Sequence, residues 1–414
     1  MYSRKLLTLL ALTIATLSFS QEEKSTKFYG FIRNDIFYNS RQNIEAIDGI
    51  FNLNPKPIVR DSNGVDKNAI PQANHSCITT RLGIDIHGTD ILGAKSSAKV
   101  EVDFAATNLL GSNNITNVLR IRHAFTQLKW TKSELLIGQS WHPMFVASML
   151  PSNFTFSAGA PYQTFSRTPM VSFKQHLTPT LTLTGAAISQ LQFPSYGPTG
   201  GSNIYMKKSL TPEIFVGLEN KTEHFTIGIA GDYKRLKPSS NTISSYSAMT
   251  YVQYSSPMLI VKAKTLLGQN LSDLILPWGY GVGASTIKGD TTYVNHNMSS
   301  SYLNIAYGKI IQVGLFLGYQ VNLGTTGELF DKDNDAIKTQ YITYRFGESC
   351  TSQNVLNNSY RIAPHISYKL SNFIICMEYE RTTAEYGTMN KMGKGEKAHS
   401  VTNNRGLLTV LYLF

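Results

Sequence analysis

Basic residues recur along this chain at a spacing of two: Arg120 with Arg122, and Lys262 with Lys264. That spacing puts both members of a pair on one face of a β-strand. Arg81 shares a face with Gly83 and Asp85 in a similar run. Between the pairs lies a stretch without acid. No Asp or Glu occurs in the 78 residues from Leu135 to Pro212, which contain Arg167, Lys174, Lys207 and Lys208. Cations gathered on one face attract anions, and guanidinium groups hold carboxylates or phosphates by paired charged hydrogen bonds. The competing reading is that these bases pair with Asp35, Asp85, Glu101, Asp103 and Glu213 and cancel. Trp141 and His142 open an aromatic segment within the acid-free stretch. His142 there is either a ligand for a solute or proton, or a hydrogen-bonded structural histidine.

Other chemistry is thinly represented. Asp331, Asp333 and Asp335 alternate like the start of a calcium-binding helix–loop–helix, but Ala336 replaces the required glycine and Ile342 the closing glutamate. A loop calcium site or a solvated acidic loop remains. No glycine-rich phosphate loop, zinc spacing or nucleophile elbow is present, so no cofactor is expected. His176, His365 and many serines are available to a hydrolase, without a spacing that singles out a triad. Cys77, Cys350 and Cys376 are too few for a disulfide framework and odd in number, which leaves one long-range disulfide or three free or buried thiols. The formal charge of +11 is spread among many segments rather than gathered on one, which argues against nucleic acid as a partner.

The elements that must carry these residues are strands. From Cys77 to His87, Ile78, Thr80, Leu82, Ile84 and Ile86 alternate with Thr79, Arg81, Gly83, Asp85 and His87. The next run sets Ala98, Val100, Val102, Phe104 and Ala106 against Lys99, Glu101 and Asp103. Regular acid in a strand needs a wet face, while the other face is apolar apart from Thr80. Sixteen such segments are predicted, at 27–38, 76–88, 97–107, 117–130, 133–140, 168–176, 180–190, 210–219, 223–235, 244–255, 258–268, 299–308, 310–321, 358–369, 372–382 and 405–414. Short gaps, read as periplasmic turns, alternate with long ones, read as outer loops, at 39–75, 141–167, 191–209, 269–298, 322–357 and 383–404, except that the turn at 89–96 is long and the loop at 108–116 short. The fold class expected is therefore all-β, a transmembrane antiparallel β-barrel of about sixteen strands. A large β-sandwich or propeller is the soluble alternative, but no fixed-period repeat supports it.

Both ends agree with export to an outer membrane. Met1 to Ser20 has Arg4 and Lys5, the apolar run Leu6–Leu17, then small residues, and reads as a signal peptide. Residues 21–414 are then the barrel domain. Gly406–Phe414 is an apolar strand ending in Phe, which a closed barrel can pair with its first strand. Tyr (22) and Phe (20) are abundant and charged residues only 16%, low for a surface that meets water everywhere. The localisation expected is the bacterial outer membrane.

A sixteen-stranded barrel encloses an aqueous channel rather than a packed interior. The third long loop, Trp141 to Arg167, carries Phe145, Phe154, Phe156, Tyr162 and Phe165 and is expected to fold inward as a constriction. An outer patch or subunit contact is the alternative. Arg81, Arg120, Arg122, Trp141, His142, Arg167, Lys174, Lys262 and Lys264 are then the pore-lining and constriction candidates.

Leu119-Arg120-Ile121-Arg122-His123-Ala124-Phe125, followed by Leu135 to Trp141 and then Phe145, resembles the segment spanning strands four and five of the DcaP-like porins. The order of elements is similar along most of the chain; the shared motif covers about thirty residues. The resemblance implies a trimeric outer-membrane channel for anionic and dicarboxylate solutes, with Arg120 and Arg122 in the lumen and 141–167 as the constriction loop. This chain departs from the pattern in its long loops at 39–75 and 322–357. The function expected is passive diffusion of small hydrophilic solutes, with a preference for anions such as carboxylates or phosphate. The expected partners are those solutes, outer-membrane lipid and two further copies of the chain. A barrel hydrolase and a surface adhesin are the alternatives.

Overall fold

A computed structural model describes residues 25–106, 118–286, 290–331, 340–347 and 354–414. The expected signal peptide, Asp333, Asp335 and Cys350 lie outside the described residues.

The wall is built in chain order from β1 (Ser25–Asn39), β2 (Gln72–Ser76 continued by Arg81–His87), β3 (Lys95–Ala106), β4 (Val118–Lys129), β5 (Ser133–Trp141), β6 (Arg167–His176), β7 (Leu181–Ile188) and β8 (Glu213–Lys221). It continues through β9 (Phe225–Leu236), β10 (Ile243–Ser255), β11 (Leu259–Gln269), β12 (Tyr293–Gly308), β13 (Ile311–Thr325), β14 (Asn354–Leu370), β15 (Phe373–Met389) and β16 (Gly395–Leu413). Each strand pairs antiparallel with the next, and β1 closes on β16 with Phe31 opposite Leu413 and Asn39 opposite Arg405. The result is a closed sixteen-stranded antiparallel barrel. The Gly30 amide donates to the Phe414 carbonyl at 3.0 Å, so the last residue completes the ladder rather than fraying.

Alternation decides which side each residue faces. On β9, Phe225, Ile227 and Ile229 are exposed while Thr226, Asp232 and Lys234 are buried. Leu82 and Val100 also point outward and are exposed. In a soluble protein so many exposed large apolar residues would be a liability; on the outside of a barrel they meet hydrocarbon.

Ile78, expected to face outward with Leu82, does not. Asp35 of β1 lies opposite Ser76, while Phe31 lies opposite Arg81. Four steps along β1 thus face five along β2, and the extra residue forms a bulge that inverts the alternation. Ile78 turns inward against a cluster containing Phe37, Phe51 and Phe165.

The long connections do not all stay outside. A hairpin formed by Asn43–Ala46 and Phe51–Pro55 enters the barrel. There the Leu53 carbonyl accepts from Arg361 at 2.6 Å and Asn54 accepts from Ser359 at 2.8 Å. The segment 270–278 also packs inward, with Trp278 fully buried and donating to the Leu356 carbonyl at 3.0 Å.

Candidate functional site

The segment between β5 and β6, residues 142–166, lies inside the barrel and is held from several directions. The Lys264 ammonium on β11 donates to the Met144 carbonyl (2.6 Å), Gln163 Oε1 (2.7 Å) and Thr164 Oγ1 (2.9 Å). Lys262 reaches the Leu150 carbonyl at 2.6 Å. From β12, Tyr302 donates to the Met149 carbonyl at 2.5 Å and Ser300 to the Tyr162 carbonyl at 3.0 Å. Across the lumen, Arg361 on β14 donates to the Ala160 carbonyl at 3.1 Å, and Glu378 on β15 accepts from the Phe154 amide at 2.5 Å. Arg33 on β1 donates to the Phe154 carbonyl. An irregular segment has many backbone groups without partners of their own; here inward-facing wall side chains supply them.

Arginines gather where this segment leaves the wall. Arg120 on β4 makes a two-point contact with Asp103 on β3, at 2.9 and 2.7 Å. Arg122 bridges Glu101 at 2.7 Å and Asp103 at 2.8 Å, and Arg81 lies 3.5 Å from Glu101. Arg167 is fully buried beneath the rings of Trp141 (4.9 Å), Phe165 (5.3 Å) and Phe193 (5.4 Å), and its three guanidinium nitrogens have no hydrogen-bond partner among the described residues. Four guanidinium groups, Arg81, Arg120, Arg122 and Arg167, thus face two carboxylates, Glu101 and Asp103. Pairing lowers the positive charge without removing it.

The remaining sequence candidates separate into two groups. Trp141, stacked on Phe145 at 4.0 Å, lies 5.6 Å from the Arg122 guanidinium and belongs with the arginines. Lys262 and Lys264 stand apart and anchor the internal segment. His142 joins neither: its Nε2 lies 2.8 Å from Glu213 Oε1 on β8. Lys174 is exposed and lines a cavity of about 360 Å³ below the segment, shared with Trp141, His142, Glu134, Glu219 and Tyr251. Asp331 is described, but Asp333 and Asp335 of the candidate calcium loop are not.

Sequence reasoning missed a second ionic group on β14, β15, β16 and β1, the strands that lead up to β2. Arg361 and Arg405 flank Glu380 at 3.8 and 3.9 Å, all fully buried, and Arg33 holds Asp35 at 2.7 Å. The spacing of two in Arg33/Asp35 and in Glu378/Glu380 was a usable signal for a shared inward face.

A closed barrel of sixteen strands, apolar outside and charged within, with a loop tied across its interior, has the fold of the outer-membrane porins. No protein-family model matches the chain, and no curated protein matches it in sequence. Solved structures do match. The outer membrane channel DcaP of Acinetobacter baumannii is 18% identical, with a TM-score of 0.66 over 95% of this chain and 99% of that one. OmpT, an outer membrane protein of Vibrio cholerae, is 9% identical, with a TM-score of 0.55 over 95% of this chain and 99% of its own. The anion-selective porin from Comamonas acidovorans is 9% identical, with a TM-score of 0.54 over 95% and 100%. The resemblance noted in the sequence therefore holds at the level of the fold.

Proposed function

We propose that this protein is a porin of the bacterial outer membrane, a passive diffusion channel that favours small anionic solutes. The observation that carries the reading is the arginine cluster on the inner wall of a closed barrel: four guanidinium groups against two carboxylates, where the internal segment leaves β5. Segment 142–166 narrows the lumen, and a solute passing it sheds part of its water. The partly exposed Arg81 and Arg120 offer weak contacts that allow exit as readily as binding, while the buried Arg122 and Arg167 act through their field. Lys174 in the cavity below faces Glu134 and Glu219, so the positive bias comes from the arginine cluster rather than from this cavity. Lys262 and Lys264 shape the passage by holding the segment. The like-folded protein from Comamonas is described as anion-selective, which fits the same sign of bias.

Residues 1–20 serve as a cleaved signal peptide, and the working form is a trimer; Vibrio OmpT is recorded in a trimer form. The experiment is reconstitution of the purified protein into a planar bilayer. Discrete ohmic current steps are expected. A barrel that inserts but passes no current would overturn the channel reading in favour of a plugged structural barrel.

A further inference from the structure

Beside the arginine cluster, but not part of it, three buried side chains meet: His142 at the start of the internal segment, Glu213 on β8 and Asp232 on β9. Each is at least nine-tenths buried, and their nitrogen and oxygen ligand atoms all lie within 4.8 Å of one another. The hydrogen bonds settle who donates. The Met144 amide donates to His142 Nδ1 at 3.1 Å, so that nitrogen carries no proton. A neutral imidazole then has its hydrogen on Nε2, which donates to Glu213 Oε1 at 2.8 Å. That leaves Glu213 Oε2 and Asp232 Oδ2 buried with no partner among the described residues.

Two ionised carboxylates are acceptors only and cannot satisfy each other. The nearby cation is already engaged: Lys234 on β9 pairs with Asp273 and donates to the Asn270 carbonyl at 2.6 Å. Asp273 also accepts from Gln190 at 2.9 Å. The charged and titratable groups facing the pair are therefore His142, Lys234 and Asp273. A metal ion would need the Nε2 lone pair, and that nitrogen carries the hydrogen.

We propose that Asp232 is held as a neutral carboxylic acid whose hydroxyl donates to Glu213, so that one proton completes a chain from the Met144 amide through His142 and Glu213 to the β9 wall. The chain pins the start of the internal segment. Its protonated charge is −1, from Glu213, Asp273 and Lys234. Losing the proton makes it −2 among side chains that are at least nine-tenths buried, which drives the carboxylates apart and frees His142. The position of the segment thus depends on a proton stored in the wall. This goes beyond the channel reading and is measured without any current.

The test is infrared absorption of the folded protein in detergent at neutral pH, read at the carbonyl stretch of protonated carboxylic acids. Asp232→Asn keeps a donor toward Glu213, so the fold is retained, but it has no acid to absorb. Glu213→Gln supplies an amide donor to Asp232, which then ionises. Both variants are expected to lose the same component of the band, and alkaline titration of the native protein is expected to remove it too. If neither variant loses band intensity, the shared proton does not exist. One chelator-removable divalent ion per chain, lost in both variants, would also overturn the proposal and make the cluster a metal site.

Discussion

Replacing Lys264 with Met tests whether the internal segment is held from the wall as described. Lys264 is buried and donates three hydrogen bonds to residues 144, 163 and 164, at 2.6 to 2.9 Å. Hydrogen bonds to a charged group contribute about 1.5–3 kcal/mol each. Burying an ammonium costs several kcal/mol, and methionine does not incur that cost. The net loss of anchoring is then about 3 kcal/mol, or roughly a hundredfold more frequent release of the segment. Lys262 makes one bond, to the Leu150 carbonyl, from a partly exposed position. Lys262→Met should therefore raise release by less than about tenfold, as exposed contacts are worth about 0–1 kcal/mol. The assay is single-channel recording, in which release reads as brief excursions to higher conductance. Equal excursion rates in Lys264→Met and the native channel would show that the segment does not depend on this ammonium.

Three further outcomes follow from the geometry. Gly318 on β13 sits against the base of the Tyr162 ring; Gly318→Val should displace that ring and raise mean conductance, and unchanged conductance would contradict the contact. Leu82→Arg should cost about 2–4 kcal/mol of unfolding free energy in lipid vesicles, the price of a charge facing hydrocarbon near mid-membrane, and unchanged stability would mean the residue does not face lipid. In the loop after the first hairpin, burial raises the Asp66 carboxyl, but hydrogen bonds from Arg41 and from the Asn68 and Val59 amides outweigh it and hold it below the usual carboxylate range. Its contribution is present at neutral pH and is lost as pH falls through that lowered value. Hydrogen exchange at the Val59 and Asn68 amides should accelerate as pH falls through that lowered value, and Arg41→Gln should move the onset upward; an onset unmoved by Arg41→Gln would contradict the pairing.

The strand plan was legible because lipid and water impose a strict period of two on each strand. All sixteen predicted spans overlap a wall strand. Their outer ends were underestimated: β12 begins at Tyr293, β15 runs to Met389 and β16 starts at Gly395. Beyond the hydrocarbon both faces can be polar, so the alternation that marks a strand disappears. Ile78 was misread for a related reason, since a bulge shifts the phase without changing the residue types. The gap at 39–75 looked like an outer loop because its length says nothing about its direction. Its inward course rests on Phe51 meeting Phe156 and Phe165, rings more than a hundred residues away. The basic residues were found, and pairing with Glu101 and Asp103 was one of the two readings, but nothing in the period decided between them. Arg120 and Arg122 lie on the strand next to Asp103 and Glu101 in a register containing a bulge, which period alone does not reveal.

The most direct test of the central claim is the reversal potential of the reconstituted protein under a salt gradient. Four guanidinium groups against two carboxylates predict a potential of the sign that anion flow produces. The bias should be modest and fade as salt is raised, because screening shortens the reach of the cluster to about 3 Å at 1 M. Changing Arg120 and Arg122 together to Gln leaves two of each charge, so the potential should move to near zero. A native reversal potential of the cation-selective sign, or one that the double variant does not move, would contradict the account.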